Sequence, residues 1–285
     1  MNKHLLFGTA ALLLGCAFSD SLQANLLVTP TRVELDEKRA KSAVFSLVNK
    51  GTKTSRYEIY FEEKRMLPSG DFVTLSKDDG IAKANRAIDE ALISQMQATS
   101  IAKYLRYSPR RLTLEPEQGG RVRLALRTPK TLPEGEYRSY IVFHQIPLAP
   151  KVQNNNTSKD GQSLSLTISA YMKIAVPIFL RVGDLKADIS LNTGKLELSQ
   201  GQQSLQVSLH RQGARSSYGD LEVINPVNNQ VLGSLKNAAV YSELNEKSYS
   251  VPLSETLSPG SELIIRFTES DKLFEHQRIE TRLRF

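Results

Sequence analysis

The chain has no tryptophan and one cysteine, Cys16, which falls within the first two dozen residues. Beyond that opening segment no disulfide can staple the fold and no thiol chemistry is open. No later stretch approaches the ~20 consecutive apolar residues that a membrane-spanning helix needs. Of the four histidines, His144, His210 and His276 stand in separate segments without metal-ligand spacing. No Gly-x-Ser-x-Gly, phosphate loop or dinucleotide fingerprint occurs, so neither an enzyme nor a cofactor or metal site is expected. The basic residues are scattered rather than clustered with aromatics, which argues against nucleic acid. The absence of tryptophan also weighs against a carbohydrate-binding module built on exposed aromatic platforms.

What is present begins with Lys3 and His4 ahead of an apolar run from Leu5 to Leu14, then a polar stretch ending Ser21-Leu22-Gln23-Ala24. This is the pattern of a secretory signal peptide, residues 1–24, with cleavage after Ala24 and an exported, soluble mature chain. Cys16 is then either a small apolar residue that is removed or a lipid-modified cysteine, and Leu14 two residues before it fits the lipoprotein pattern poorly. Stability must come from apolar burial, which about 260 residues supply more comfortably as two domains than as one. The formal charge of +7 survives signal removal, because Lys3 and Asp20 leave together. It serves solubility or attraction to acidic partners and anionic surfaces.

Short runs of Val, Ile, Leu, Phe and Tyr separated by Gly, Pro, Asn and Ser point to an all-β protein. Strands are expected at Leu26 to Val33, Ser42 to Val48, Arg56 to Phe61, Phe72 to Leu75, Arg111 to Leu114, Arg121 to Leu126 and Tyr137 to Ile146. Ala43, Phe45 and Leu47, like Val122, Leu124 and Leu126, alternate toward a core. Seven or eight such strands suggest an immunoglobulin-like β-sandwich over residues 25–182. A second sandwich, residues 183–285, is expected from Leu205 to Leu209, Leu221 to Ile224, Ser248 to Val251, Leu263 to Phe267 and Ile279 to Phe285. The connector is short, so a cleft between the two should hold a fairly fixed angle.

The most informative segment is Leu164 to Ile178, where apolar residues occupy every even position. Fifteen alternating residues would span about 50 Å as a strand, several times the usual length. An edge that long is an aggregation liability unless it pairs with another chain. Two segments break the β pattern. In Asp78 to Ala102, the residues Ile81, Ala84, Ile88, Ala91, Leu92 and Met96 recur at helical spacing, which predicts a helical insertion of about two to four turns that packs as a lid or offers a contact surface. Pro150 to Gly161 is almost wholly polar and reads as a mobile loop leading into the alternating run.

Four places carry a resemblance: Thr29-Pro30-Thr31-Arg32-Val33; Arg111-Leu112-Thr113-Leu114-Glu115-Pro116 before Val122-Arg123-Leu124; Leu132-Pro133-Glu134-Gly135-Glu136-Tyr137-Arg138-Ser139 followed by Phe143-His144-Gln145-Ile146-Pro147; and the alternating run ending Phe179-Leu180-Arg181. In these the chain resembles the periplasmic pilus chaperones of the chaperone-usher pathway, the PapD-like family, across most of the first domain and the entry to the second.

The resemblance implies two immunoglobulin-like domains in a boomerang arrangement, located in the periplasm, that hold pilus or fimbrial subunits and deliver them to an outer-membrane usher. It implies donation of a strand to a subunit that lacks one, with Leu164, Leu166, Ile168, Ala170 and Met172 as donor residues and with self-association as a way to cap the same strand. It makes Arg32 an anchor for the subunit's terminal carboxylate. The family's second anchor is a lysine, where this chain has Pro177; Lys173 is four residues earlier on the same face, more than ~12 Å away at the usual rise. Glu136 and Arg181 match positions that pair to orient the domains. The competing expectation is a structural or adhesive immunoglobulin-like component of a surface fibre, since fold alone does not choose.

Overall fold

The computed structural model describes residues 26–36, 38–78, 81–84, 90–129, 132–148, 170–199, 201–258, 260–270 and 277–284. The signal peptide 1–24 with Cys16, the polar loop 150–161 and the donor residues Leu164, Leu166 and Ile168 lie outside them.

The first half folds as two sheets facing each other. One runs in the order β1 (Leu26–Thr29), β3 (Ser42–Asn49), β9 (Gly119–Leu126) and β7 (Leu105–Ser108). The other runs β2 (Val33–Asp36), β11 (Lys173–Val182), β10 (Gly135–Ile146), β4 (Ser55–Met66), β5 (Phe72–Asp78) and β6 (Ile81–Ala84), with β8 (Arg111–Leu114) also on β4. Period-two burial explains the pairing: in β3, Phe45 and Leu47 are fully buried while Val44, just before them, stays 49% exposed. Val122, Leu124 and Leu126 of β9 complete that inner face.

The expected single strand Leu26 to Val33 is two. Pro30 has no N–H for a ladder, and the chain changes sheets there: β1 pairs antiparallel with β3, whereas β2 pairs parallel with β11. The insertion also differs from its expectation. Ile81 and Ala84 sit in β6, a four-residue strand paired with β5, because an available sheet edge overrides weak helical periodicity in so short a run. Ile88 lies outside the described residues. The helix is α1 (Glu90–Ala98), holding Ala91, Leu92 and Met96, and Ala102 belongs to a short 3-10 turn. Met96 is buried against Val73 and Leu75, with Leu67, Leu92 and Ile93 around them, so hairpin and helix share a small core of their own.

The second half is also two sheets. They are β12 (Ala187–Ser199), β13 (Gln202–Gly213) and β16 (Glu246–Pro252); and β15 (Val231–Val240), β14 (Ser217–Ile224), β17 (Glu262–Glu269) and β18 (Arg278–Arg284). β12 and β15 are absent from the sequence reading because Asn192, Gly194, Gly233 and Asn237 interrupt their apolar pattern. Leu205, Val207, Leu221, Val223, Ile265 and Phe267 form this domain's core, separate from the one that runs from Leu26 to Leu180. The protein is thus two all-β, sandwich-like domains with one α-helix among the described residues of the first half.

Phe45 packs edge-on against Phe143 at 5.5 Å. Phe45→Ala is expected to cost about 3–5 kcal/mol in denaturant unfolding, whereas Val44→Ala on the other face should stay within about 0.5 kcal/mol. Equal costs would show that the register of β3 is not the one described.

Candidate functional site

β11 has β10 along its whole length on one side, from Gly135↔Val182 to His144↔Lys173. On the other side β2 covers only Ile178 to Arg181. Among the described residues, Lys173 to Pro177 therefore have no ladder on that side. Gln145 N–H donates to Met172 O at 2.8 Å, which makes Met172 and Gln145 a hydrogen-bonded pair. Antiparallel alternation then points the backbone groups of Lys173, Ala175 and Pro177 away from β10, to the uncovered side. Pro177 suits that position, since its missing N–H is not needed by β10.

Side chains divide the alternating run. Ile174, Val176, Ile178 and Leu180 pack into the first domain's own core, and so does Met172. This corrects the donor set: Met172 serves its own domain, because the even face of β11 closes the sandwich from residue 172 onward. Ala170 and Tyr171 are exposed and precede the strand. Lys173 is partly exposed, but its ammonium is held by the Glu62 carboxylate, which is almost fully buried and also lies 3.2 Å from the Lys64 ammonium. Partial burial pushes the Lys173 pKa down, and the bonds to Glu62 and Tyr60 outweigh it, so the net shift is upward. Lys173 is not a free cation at the Pro177 position.

Arg32 sits between β1 and β2 and reaches the domain boundary. Its guanidinium lies 4.0 Å from the Phe179 ring centroid and 3.4 Å from that of Tyr218, a sandwich of one ring from each domain. Nε donates to Glu34 at 3.2 Å, and Nη2 is buried without a hydrogen-bond partner among the described residues. With 12% of its side chain exposed, Arg32 is a junction residue first. Burial of an arginine next to aromatic rings is favourable because the cation meets the negative ring faces.

Glu136 and Arg181 stand opposite each other in the β10–β11 ladder. Arg181 Nε donates to Glu136 Oε2 at 2.9 Å, and both side chains are essentially buried. Glu136 also accepts from Ser216 of the second domain, through its N–H at 2.9 Å and its hydroxyl, while Arg181 Nη2 donates to Ser216 O at 3.2 Å. Burial pushes the Glu136 carboxyl up, but Arg181 and the Ser216 hydrogen bonds together overcome this and hold it below its ordinary range. The sequence reading missed a parallel tie: Arg138 binds Glu243, which also accepts the Met66 N–H at 2.7 Å, so β4, β10 and the second domain meet at one carboxylate. Arg138 lies within the quoted Leu132–Ser139 motif, but its partner is too distant in sequence to be read. Arg215 and Glu269 form a two-bond pair deeper in the second domain. Around these ions Met66, Phe179, Ala239 and Tyr241 make a shared apolar cluster.

A cavity of about 1260 Å³ forms a groove along β4 lined by Ile59, Phe61, Tyr107, Arg110 and Lys173. A smaller one of about 310 Å³ lies at the junction by Glu136, Arg138 and Glu243. Among the described residues no cluster of His, Cys, Asp and Glu could hold a metal ion.

No family model and no curated protein matches the chain. Among solved structures it is similar to the YadV chaperone (11% identity, 92% of this chain and 100% of that one, TM-score 0.43). It is similar to a chain from the CsuC–CsuE chaperone–tip adhesion subunit complex of Acinetobacter baumannii Csu pili (14% identity, 90% and 98% covered, TM-score 0.42). It is also similar to one from the Salmonella enterica SafA pilin–SafB chaperone complex (9% identity, 90% and 96% covered, TM-score 0.41). At these identities and scores the overlap does not by itself assign a function.

Breaking a buried ion pair leaves the other charge unpaired, so Glu136→Gln and Arg181→Met should each cost about 3–5 kcal/mol. The double variant should cost clearly less than their sum; additive losses would show that the two do not act together. Because the folded carboxyl titrates below its ordinary value, its contribution is complete above that value and is lost as pH falls through the lower folded one. Melting scans from about pH 6 to about pH 3 should therefore fall more steeply for wild type than for Glu136→Gln.

Proposed function

We propose that this protein is a non-enzymatic periplasmic chaperone that binds pilus or fimbrial subunits by adding an edge strand to them and passes them to an outer-membrane usher. The observation that carries the reading is the uncovered side of β11 from Lys173 to Pro177, continuous with the alternating residues upstream. Strand addition needs free backbone groups on one side and a row of apolar side chains for the partner's groove. Leu164, Leu166, Ile168 and Ala170 supply that row, while the even residues from Met172 on keep the donor's own core closed. If three of the larger side chains become buried at roughly 1.5–3 kcal/mol each, the gross gain is several kcal/mol before ordering costs. That range suits capture followed by release.

Anchoring of a subunit carboxylate falls to Arg32, whose Nη2 has a hydrogen bond to give. The buried Glu136–Arg181 pair, tied to Ser216, holds the two domains in the orientation the cleft requires.

The test is coexpression with a pilus-type subunit encoded nearby, read as copurified one-to-one complex. Ala175→Pro removes an N–H on the uncovered side without touching the β10 ladder, so it should abolish the complex while leaving the melting temperature unchanged. Leu166→Asp/Ile168→Asp should do the same, and Arg32→Ala should weaken the complex. A folded Ala175→Pro protein that still copurifies subunit sinks strand donation, and stable self-association with no subunit bound would favour a structural fibre component.

A further inference from the structure

The sheet β1-β3-β9-β7 turns one face to the core and the other to solvent. On the outer face the register places Arg123 of β9 opposite Val44 of β3 and Ser108 of β7, and Arg121 opposite Ser46. Arg106 of β7 stands opposite Ala125, one diagonal step from Arg123, and Arg127 continues the same side two positions on. All four are exposed, and none has an acidic partner among the described residues. Successive outward positions on a strand are about 7 Å apart and diagonal neighbours about 7–8 Å. The four cations thus form a row, Arg121, Arg123, Arg106 and Arg127, in which each has the next as a neighbour. No Asp or Glu occupies an outward position on these strands among the described residues.

Some surface arginines elsewhere have carboxylate partners: Arg266 with Glu222 and Glu280, Arg111 with Glu58. Like charges held side by side without a counter-ion are unfavourable, so this face is arranged against the stability of the free protein. The same plane carries apolar side chains in the open: Leu27 is 53% exposed and Val44 49%. The cavities along β4 and at the junction lie off this face.

We propose that this outer face is a docking surface for an anionic phospholipid membrane. Guanidinium groups match phosphate oxygens through two parallel hydrogen bonds. A flat sheet face presents several to one plane of headgroups at once, where a soluble anion would want a concave site. Leu27 and Val44 add the shallow apolar contact that peripheral membrane binding uses beside the electrostatic attraction. Docking leaves the uncovered side of β11 available, because that edge belongs to the other sheet.

The experiment is cosedimentation of the mature chain with vesicles of equal phosphatidylglycerol and phosphatidylcholine, and with pure phosphatidylcholine, at low and at physiological salt. The expected result is binding to the anionic vesicles only, weakened by salt. Arg121→Gln/Arg123→Gln should reduce the partition coefficient at least tenfold. Arg282→Gln/Arg284→Gln, which removes the same charge from the second domain, should leave it nearly unchanged. All these positions are exposed, and melting curves confirm that the variants fold. Absence of vesicle binding at low salt, or equal loss in both variants, overturns the proposal. Binding of soluble polyglutamate without vesicle binding overturns it in favour of an acidic protein partner.

Discussion

A carboxylate taken out of water is costly unless its oxygens are filled, and Glu136 is filled from two directions. Arg181 approaches along the β10–β11 ladder and Ser216 comes from the second domain, so neither domain alone can satisfy it. The arrangement ties the angle between the sandwiches to the chemistry of one side chain. Arg138 with Glu243 and Met66 repeats the device a short way off, and the Phe179–Tyr241 cluster fills the space between. Because β10 and β11 carry both first-domain ends of these ties, the sheet that supports the open edge is the one held against the second domain.

β11 combines several duties that would usually fall to separate elements. Its even residues close a core, its C-terminal part is flanked on both sides, and its N-terminal part has one side uncovered among the described residues. Arg181 at its end enters the junction. A strand so heavily committed at one end is rigid, and rigidity lowers the ordering cost of any pairing at the other.

The sequence showed most clearly what depends on local alternation. Phe45, Leu47, Val122 and Leu124 are where their spacing put them, since one buried face fixes the register. Pro30 was a legible warning that its strand breaks, but which sheet each half joins depends on partners far along the chain. β5 was read as a strand but β6 as the start of a helix, because Ile81-Ala82-Lys83-Ala84 satisfies either period until a neighbouring edge decides. Of the site, Arg32, Glu136 and Arg181 were reachable through motif resemblance. The ring sandwich that shields Arg32 and the Glu62 grip on Lys173 were not, because both arise from side chains brought together only by the sheet and the junction.

The change of sheet at Pro30 also has a consequence in time. A chain threaded outward from its N-terminus exposes β1 and β2 first, yet β2 has no ladder until Ile178–Arg181 follow. β1 finds β3 close behind it, but β2 must wait, without a ladder, for nearly the whole first domain to arrive. Such long-range parallel pairing is slow to form, so closure of this sandwich is a late event, and until then the nascent chain itself carries an exposed apolar edge of the sort its completed form is proposed to offer to others.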